Sequence, residues 1–413
     1  MPANSRPMKH RIPTTCALLL VCLALPLLAQ PTPPAPPPAP AIPPPLTSGN
    51  FGKPLVGATT AQLAAFTAGS KDFNIRETRQ TGLGPIFNDD SCLACHGAPS
   101  AGGSSGKTVT RFGHSANGVF DPLTSLDGSL LHARAIDPSL QEVVPSEANV
   151  VARRLTTPLY GAGLIEAIPD ATIIANANLP KPVGVKGHVA LVTDVATGES
   201  RVGRFGWKAQ HATILSFSGD ALNNEIGITN RLFPKAAAPN GNEVKLACFV
   251  SPTAPIEDQP DASGLSEIDR VSNYMRFLAP PPVGAPITPA TLAGQKLFAF
   301  IGCASCHTPS LNTGQNAIAA LANKNVQLYS DLLLHDMGAL GDGIAQAAAG
   351  TTEMRTSPLW GLSARHNYLH DGRAATPAAA ILAHAGEAAA SQSAYTQLTP
   401  VQQQQLIAFL RSL

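Results

Sequence analysis

CLACH (residues 92–96) and CASCH (residues 303–307) are the two stretches that decide how this chain folds. Each has two cysteines separated by two residues and followed directly by a histidine. Two thiols at this spacing add to the two vinyl groups of one porphyrin, and the adjacent histidine then ligates the iron. The sequence therefore predicts two covalently bound c-type haems. The predicted attachment residues are Cys92, Cys95, Cys303 and Cys306, and the predicted iron ligands are His96 and His307.

Two other interpretations of paired cysteines fit less well. A zinc ribbon requires no histidine directly after the second cysteine, and it usually keeps its four sulfurs within a few dozen residues. A thioredoxin-like redox pair is not expected twice in one chain with histidine in both copies. Haem attachment therefore explains both motifs better than zinc binding or disulfide chemistry.

The composition limits both the fold and the partners. The chain has 413 residues, which is more than one typical domain needs, so about two compact cores are expected. Its 28 basic and 27 acidic residues nearly cancel, and no long run of like charge occurs. Nucleic-acid binding, which depends on an excess of positive charge, is therefore not expected.

The N-terminus has the pattern of an export signal. Residues 9–11 (KHR) precede an apolar run at 16–29 that is too short to span a bilayer comfortably. We predict a signal peptide at 1–29, a proline-rich linker at 30–49 and a periplasmic location, since c-type haems are attached in that compartment. No integral membrane span is expected after processing, and an uncleaved membrane tether is the alternative.

Helical patterns recur around the two motifs. Helices are predicted after Thr59, Thr288 and Thr399, because each threonine can cap the apolar pattern that follows it. A helix before the haem motif that crosses a helix at the C-terminus is the core of a small cytochrome c domain. The predicted fold class is therefore mainly α. It has two cytochrome c-type haem domains in series, at 50–280 and 281–413, with a small β-hairpin-bearing insertion in the first.

An internal repeat supports this duplication. RLTTPLYG (154–161) matches RTSPLWG (355–361) with a one-residue gap, and each copy follows its own haem motif. The stretch at 185–260 alternates more like strands and turns, and we assign the insertion to it.

Six blocks of sequence resemble a known family when they are taken in order. They are TGLGPIFNDDSCLACHG (81–97), RVGRFGWKAQ (201–210), IGITN (226–230), LYSDLLLHDMG (328–338), SPLWGL (357–362) and YLHDGRA (368–374). This series is similar to the bacterial di-haem oxidoreductases, often labelled thiol oxidoreductases, which are related to the di-haem cytochrome c peroxidases. The resemblance covers nearly everything after residue 50. It implies a periplasmic, mainly helical, two-domain di-haem protein of redox function, and it supplies neither a calcium site nor a sixth ligand for either iron.

The sixth ligand decides what each iron does, since an open position binds peroxide and a filled one passes electrons. For the second haem the candidates are Met337, His335, His370 and Met354. We favour Met337, because a thioether raises the potential as an electron-relay haem requires. Core packing is the alternative role for Met337, and a propionate contact is the alternative role for the two histidines.

The first half of the repeat offers no comparable ligand. After TPLYG the chain reads AGLIEA (162–167), in which Glu166 is the only polar side chain. A carboxylate beside an open iron can move the protons that peroxide cleavage requires, so Glu166 is the predicted catalytic residue. A structural ion pair is its alternative role. His114 and His132 are the alternative ligands that would close this iron.

Several basic and aromatic residues have the chemistry to contact a haem. Arg204, Trp207 and Lys208 are expected at the haem propionates, with Arg204 and Trp207 as the predicted cofactor-binding residues. Trp207 or Trp360 is also expected between the two haems, and the alternative is that both tryptophans belong to the core.

These features together predict a periplasmic di-haem c-type oxidoreductase of peroxidase-like type. Electrons would enter at the C-terminal haem and be used at the N-terminal one. The expected electron donor is a small redox protein or a quinone-linked donor, and the expected substrate is peroxide or an oxidisable protein side chain. The alternatives are an electron-transfer cytochrome without a catalytic site and an oxidase of a protein thiol or other side chain.

Overall fold

Two pairs of crossing helices frame the two cysteine motifs in the computed structural model. Helix α1 (Thr60–Asn74) packs against α7 (Glu267–Phe277), and α8 (Pro289–Phe300) packs against α11 (Pro400–Leu410). A glycine permits each close approach. A Cβ atom on Gly69 would lie 1.9 Å from the Arg270 carbonyl oxygen, and one on Gly294 would lie 2.0 Å from that of Gln405. The two halves therefore use the same helix crossing.

The threonine caps confirm the predicted helix starts. Thr59, Thr288 and Thr399 each accept a hydrogen bond from the backbone N–H three residues later, and each helix begins at the next residue. Each cap satisfies one of the backbone donors that a helix N-terminus leaves without a partner.

The structure describes residues 51–249, 259–282, 284 and 286–413. The predicted signal peptide (1–29) and the predicted proline-rich linker (30–49) lie outside these residues. All described residues belong to the compact unit Pro44–Leu413. Within the described residues, no helix combines the length and the apolar character needed to cross a membrane.

The remaining elements are short. The other α-helices are α2 (Cys92–Cys95), α3 (Ala162–Glu166), α4 (Asp170–Ala177), α5 (Ile214–Ala221), α6 (Glu243–Ala247), α9 (Pro377–Leu382) and α10 (Ala389–Thr396). The strands are β1 (Ile86–Phe87), β2 (Thr108–Ala116), β3 (Val119–Asp121), β4 (Leu130–Leu131), β5 (Arg134–Ala135), β6 (Val150–Leu155), β7 (Leu191–Thr193), β8 (Ser200–Val202), β9 (Leu311–Asn312), β10 (Asn325–Val326), β11 (Leu334–Asp336) and β12 (Glu353–Arg355).

The first half contains more β structure than the sequence predicted. The hairpin of β7 and β8 lies in the stretch at 185–260, where a hairpin was expected. A four-stranded antiparallel sheet was not expected: β2 pairs with β3, β4 and β6. Its longest pairing runs from Thr108 opposite Leu155 to Gly113 opposite Val150. The sheet brings the chain that follows the first motif back to the repeat at 154–161.

The core does not divide at the predicted domain boundary near residue 281. The larger hydrophobic cluster combines Leu159 and Tyr274 from the first half with Leu328 and Leu333 from the second. A smaller cluster surrounds α8 and α11. The two predicted domains therefore share buried surface, and their boundary stays a prediction.

The chain contains a second duplicated unit, formed by two loops at 205–211 and 368–374 that we call the matching loops. Each residue of the second loop lies the same number of positions after its counterpart in the first. The first loop is closed by a bridge between Phe205 and His211, and the second by a bridge between Tyr368 and Ala374. Both loops have positive φ at their second and fifth positions. Each is followed by a threonine that caps a short helix, α5 in the first half and α9 in the second. The two loops are therefore structural counterparts.

One buried carboxylate ties the first matching loop to the second half. Asp342 Oδ1 lies 3.0 Å from Lys208 Nζ, and its Oδ2 lies 2.7 Å from Arg154 Nε. Burial alone would raise the pKa of Asp342, but the two cations outweigh burial and hold that pKa below its ordinary value. The Lys208 ammonium also donates to the carbonyls of Gly350 and Thr351. Lys208 was expected at a haem propionate, and the structure instead places it in this buried network.

Replacing Asp342 should therefore destabilise the protein strongly. Asp342→Asn leaves two buried cations without their counter-charge, so the free energy of unfolding is expected to fall by about 3–5 kcal/mol. Chemical denaturation followed by circular dichroism measures the change. Asp90→Asn, which removes the charged partner of the exposed Arg76, should have little effect because ion pairs at the surface contribute little. Equal effects of the two variants would show that Asp342 has no special structural role.

Two candidate haem sites

Each cysteine motif lies on the wall of its own cavity. The first cavity has a volume of about 1100 Å³, part of it open to solvent, and its wall includes Cys92, Cys95 and His96. The second has a volume of about 1380 Å³, also partly open, and its wall includes the residues of the CASCH motif at 303, 306 and 307.

The two motif histidines are held in the orientation that an iron ligand needs. His96 Nδ1 lies 3.2 Å from the Gly103 carbonyl oxygen, and His307 Nδ1 lies 3.1 Å from that of Tyr329. A carbonyl oxygen can only accept, so Nδ1 carries the proton and the Nε2 lone pair is free for a metal. Burial lowers the pKa of each histidine to about 4, which keeps both rings neutral.

The motif cysteines are reduced and partly buried. Burial raises the pKa of Cys95 and of Cys303 to about 12. Each motif thus places two thiols and a neutral histidine on one cavity wall. The cysteine and histidine geometry of both motifs therefore fits a haem.

Buried arginines supply a second test of this fit. Among the described residues, Arg111 Nε and Arg154 Nη2 in the first cavity have no hydrogen-bond partner, and in the second cavity the same is true of Arg365 Nε. Burial lowers the pKa of Arg154 and of Arg365 to about 10. Buried donors without partners are costly, and the two propionates of a haem are the kind of anion that would satisfy them. These arginines, rather than the predicted Arg204, face the cavities.

Arg204 does not lie on either motif cavity. Its side chain is fully buried and its guanidinium donates to the Asp170 carboxylate and to the carbonyls of Val202 and Ile168. A guanidinium whose donors are already used has none left for a propionate. The prediction that Arg204 binds the cofactor is therefore not supported by its surroundings.

Glu166 also lies away from the first cavity. Its Oε2 is 3.0 Å from Arg276 Nε, and its Oε1 accepts the Ile214 backbone N–H at 2.7 Å. The carboxylate thus bridges α7 and the start of α5. This is the structural ion pair that was the alternative role for Glu166, and the predicted catalytic role does not fit this placement.

A different carboxylate, that of Glu225, lines the first cavity. Glu225 lies on a π-helical turn, Leu222–Ile226, which follows α5 directly. Such turns are rare and frequent at functional sites. Asn88 Nδ2 donates to Glu225 Oε2 at 2.8 Å. Burial raises the pKa of Glu225, although Arg111 and Asn88 oppose the shift.

Trp207 lies between the two cavities. Of the described residues, it alone lines both of them. Its indole Nε1 donates to the Leu155 carbonyl at 2.8 Å, and its ring meets the edge of the His370 ring at a centroid distance of 6.3 Å. Trp207 was expected between the two haems; its position relative to a haem stays a prediction. Trp360 lines neither motif cavity.

The four ligand candidates for the second iron all lie on the wall of the second cavity. These are Met337, Met354, His335 and His370. His335 is already engaged, because Nε2 lies 3.0 Å from Asp331 and Nδ1 lies 2.7 Å from Glu387. Burial opposes its charged form, but the hydrogen bonds to Asp331 and Cys306 outweigh burial and raise the pKa of His335 to about 11. His335 is therefore a charged residue beside the haem site rather than an iron ligand.

The cavity wall also includes a histidine that was not considered from the sequence, His384. The two alternative ligands for the first iron lie elsewhere. His132 is buried and pairs with Glu142 at 2.9 Å, and His114 Nδ1 lies 2.7 Å from the Glu147 carbonyl. Neither His132 nor His114 lines the first cavity.

Carboxylates near the first motif make stability depend on pH. Burial and the neighbouring charges of Glu77 and Asp72 raise the pKa of Glu267 to about 8. Between the ordinary glutamate pKa and about 8 the folded protein holds a proton that the unfolded chain has lost, so stability falls as pH rises. Over this pH range, the free energy of unfolding of Glu267→Gln should fall by up to about 1.4 kcal/mol less per pH unit than that of wild type. Melting temperatures at pH 5 and pH 9 test this, and parallel curves for the two proteins would contradict it.

A family comparison covers most of the chain. The family described as "Di-haem oxidoreductase, putative peroxidase" matches residues 139–413, which is more than half of the sequence. The chain belongs to this family. The matched part of this di-haem oxidoreductase includes the second motif and begins after the first. The family supports two haem cofactors and a haem-dependent oxidoreductase activity.

Three solved structures align with the di-haem oxidoreductase over most of its length at low similarity. Hydrazine synthase from Kuenenia stuttgartiensis is 14% identical, with a TM-score of 0.38, over 91% of this chain and 100% of the other. A MauG-like protein associated with microbial copper homeostasis is 15% identical, with a TM-score of 0.40, over 89% and 94%. A variant of the di-haem peroxidase BthA from Burkholderia thailandensis is 14% identical, with a TM-score of 0.39, over 88% and 86%. No curated protein has significant sequence similarity to the chain.

Proposed function

We propose that this di-haem oxidoreductase reduces peroxide in the first cavity with electrons that enter at the second haem. The observation that carries the proposal is the composition of the first cavity wall. It holds one motif histidine, His96, together with a glutamate, Glu225, and the small residues Gly206 and Ala221. This combination suits an iron that has one protein ligand and an open position beside an acid–base group.

The other side chains of that wall support an open position. No second histidine is among the described residues that line the first cavity. Met275 lines it, but its sulfur accepts a hydrogen bond from Ser218 Oγ at 3.7 Å, and the residue belongs to the larger core. We therefore assign the Met275 sulfur a structural role and not the role of an iron ligand.

Reduction of hydrogen peroxide to two waters consumes two electrons and two protons. A haem with an open coordination position supplies the redox chemistry for this reaction. As the O–O bond breaks, one oxygen loses a proton and the other gains one. The carboxylate of Glu225 accepts the proton from one oxygen and its acid form returns that proton to the other, while the two protons that the reaction consumes come from solvent. Asn88 donates to Oε2, which holds the carboxylate in place while the proton moves.

The proposed route of electrons from the second cavity to the first passes Trp207. Its indole is a wall of both cavities and is fixed by the hydrogen bond to Leu155. An aromatic ring between two redox centres shortens the distance that an electron crosses through saturated groups. We further propose a periplasmic location and an electron donor that is a small redox protein or a quinone-linked protein.

Spectroscopy of the purified protein tests this function. The oxidised and the half-reduced forms are examined by electron paramagnetic resonance and then mixed with hydrogen peroxide. We expect a high-spin ferric signal in at least one form and consumption of peroxide when a reductant is supplied. Two low-spin irons and no reaction in both forms would instead identify an electron-transfer cytochrome. A reaction with thiols but not with peroxide would identify an oxidase.

A further inference from the structure

The second cavity contains a histidine held in the same way as the two motif histidines. His384 follows α9, and its Nδ1 lies 2.7 Å from the Ala380 carbonyl oxygen. That oxygen accepts the Nδ1 proton, so Nε2 carries the lone pair, as in His96 and His307. No bond to His384 Nε2 is found among the described residues. We propose that His384 is the second protein ligand of the haem iron held by His307.

The duplication supplies an independent argument. The two matching loops and the helices after them, α5 and α9, correspond at one constant offset along the chain. At that offset His384 is the counterpart of Ala221. Ala221 lines the first cavity and His384 lines the second. The same position therefore carries a side chain without a ligand atom in one cavity and an imidazole in the other.

The other candidates on the wall of the second cavity fit less well. Both ring nitrogens of His335 are bonded to carboxylates. The His370 ring packs against Trp207, which is shared with the first cavity, so this ring lies at the boundary between the cavities. His370 is also the counterpart of Trp207 in the duplication, and no carbonyl bond to its Nδ1 is found in the described part of the chain.

Met337 and Met354 are the remaining rivals. Both line the second cavity, and neither has a polar contact that would orient its sulfur among the described residues. Neither has a counterpart in the matching loops and their helices. With two imidazoles and no thioether, the second haem has a lower reduction potential than a histidine–methionine haem. The second haem would then be a low-spin electron relay, with a potential below the raised value that was expected from ligation by Met337.

The proposal rests on the part of the proposed function that places a haem at the second motif, and not on peroxide reduction. Its test therefore reads spectra and potentials of the whole protein. In oxidised wild-type protein we expect a low-spin ferric signal of bis-imidazole type, without the near-infrared charge-transfer band of thioether ligation. His384→Met should create that band and raise the potential of the low-spin haem. His384→Ala should convert the second iron to high spin.

Matched variants decide between the rivals. Met337→Leu and Met354→Leu should leave the low-spin signal and its potential unchanged, and so should His370→Asn. A thioether band in wild-type protein that disappears in a methionine variant would overturn the proposal. Loss of the low-spin signal in His370→Asn, with none in His384→Met or His384→Ala, would overturn it too. The haem content of each variant is measured first, because a wild-type protein with one haem would contradict the di-haem function itself.

Discussion

Glu225→Gln is expected to slow peroxide reduction by about a hundred- to ten-thousandfold, because a positioned acid–base group contributes that much to rate. The amide has nearly the same shape as the carboxylate and can still hydrogen-bond to Asn88, but it cannot accept a proton. Haem content and the spectrum of the second haem should not change. Stopped-flow measurement of peroxide consumption with a saturating reductant gives the rate.

Glu166→Gln is the matched control for this experiment. Its carboxylate bridges Arg276 and the Ile214 backbone N–H outside the first cavity, so the variant should lose stability and keep most of its peroxide activity. The pH profile gives a second readout. Because burial raises the pKa of Glu225, the wild-type rate should rise with pH through that raised value, and Glu225→Gln should lack this limb. A larger loss of activity in Glu166→Gln than in Glu225→Gln would return the catalytic role to Glu166.

Removal of one cysteine pair is expected to abolish covalent attachment at that motif alone. The double substitution of Cys303 and Cys306 by serine removes both thioether bonds, so the denatured protein should weigh one haem less than wild type. The same substitution at Cys92 and Cys95 should remove the other haem. Mass spectrometry of the denatured proteins and haem staining after electrophoresis measure the loss.

The pairing of these two variants makes the result specific. Each should retain the haem of the motif that is left intact, since the motifs lie on separate cavities. A wild-type mass with a single haem, or with bound zinc, would contradict covalent attachment at both motifs. Loss of both haems from either variant would show that the second attachment depends on the first.

The sequence predicts local features of the fold better than distant pairings. Thr59, Thr288 and Thr399 cap the predicted helices because capping depends on residues three positions apart. The sheet of β2, β3, β4 and β6 was missed, since its longest pairing, between β2 and β6, joins strands that are far apart in the chain. The shared core was missed for the same reason: side chains from both halves meet there only after folding.

The candidate site also combines features that the local sequence predicts with features that depend on distant parts of the chain. The motif residues were predicted from the fixed spacing that covalent haem attachment needs, and the structure puts each set on one cavity. Glu225 comes directly before the IGITN block (226–230), so its position was a usable signal, but nothing local shows that a π-helical turn directs it into the cavity. Arg204 was misplaced because a basic residue in a similar block does not reveal that Asp170 binds it. His384 becomes visible only when the two loops are aligned through their backbone geometry.

The single indole between the two cavities has a consequence for any redox titration of this protein. Trp207 is a wall of both cavities, so haems bound in them would be neighbours, and a change of charge at one would act on the other through a medium of low dielectric constant, where charges interact strongly. Two centres coupled in this way release or accept electrons in two macroscopic steps that belong to the pair. The midpoints read from such a curve would be joint properties of both haems, and replacing a ligand at one iron would shift the midpoint assigned to the other.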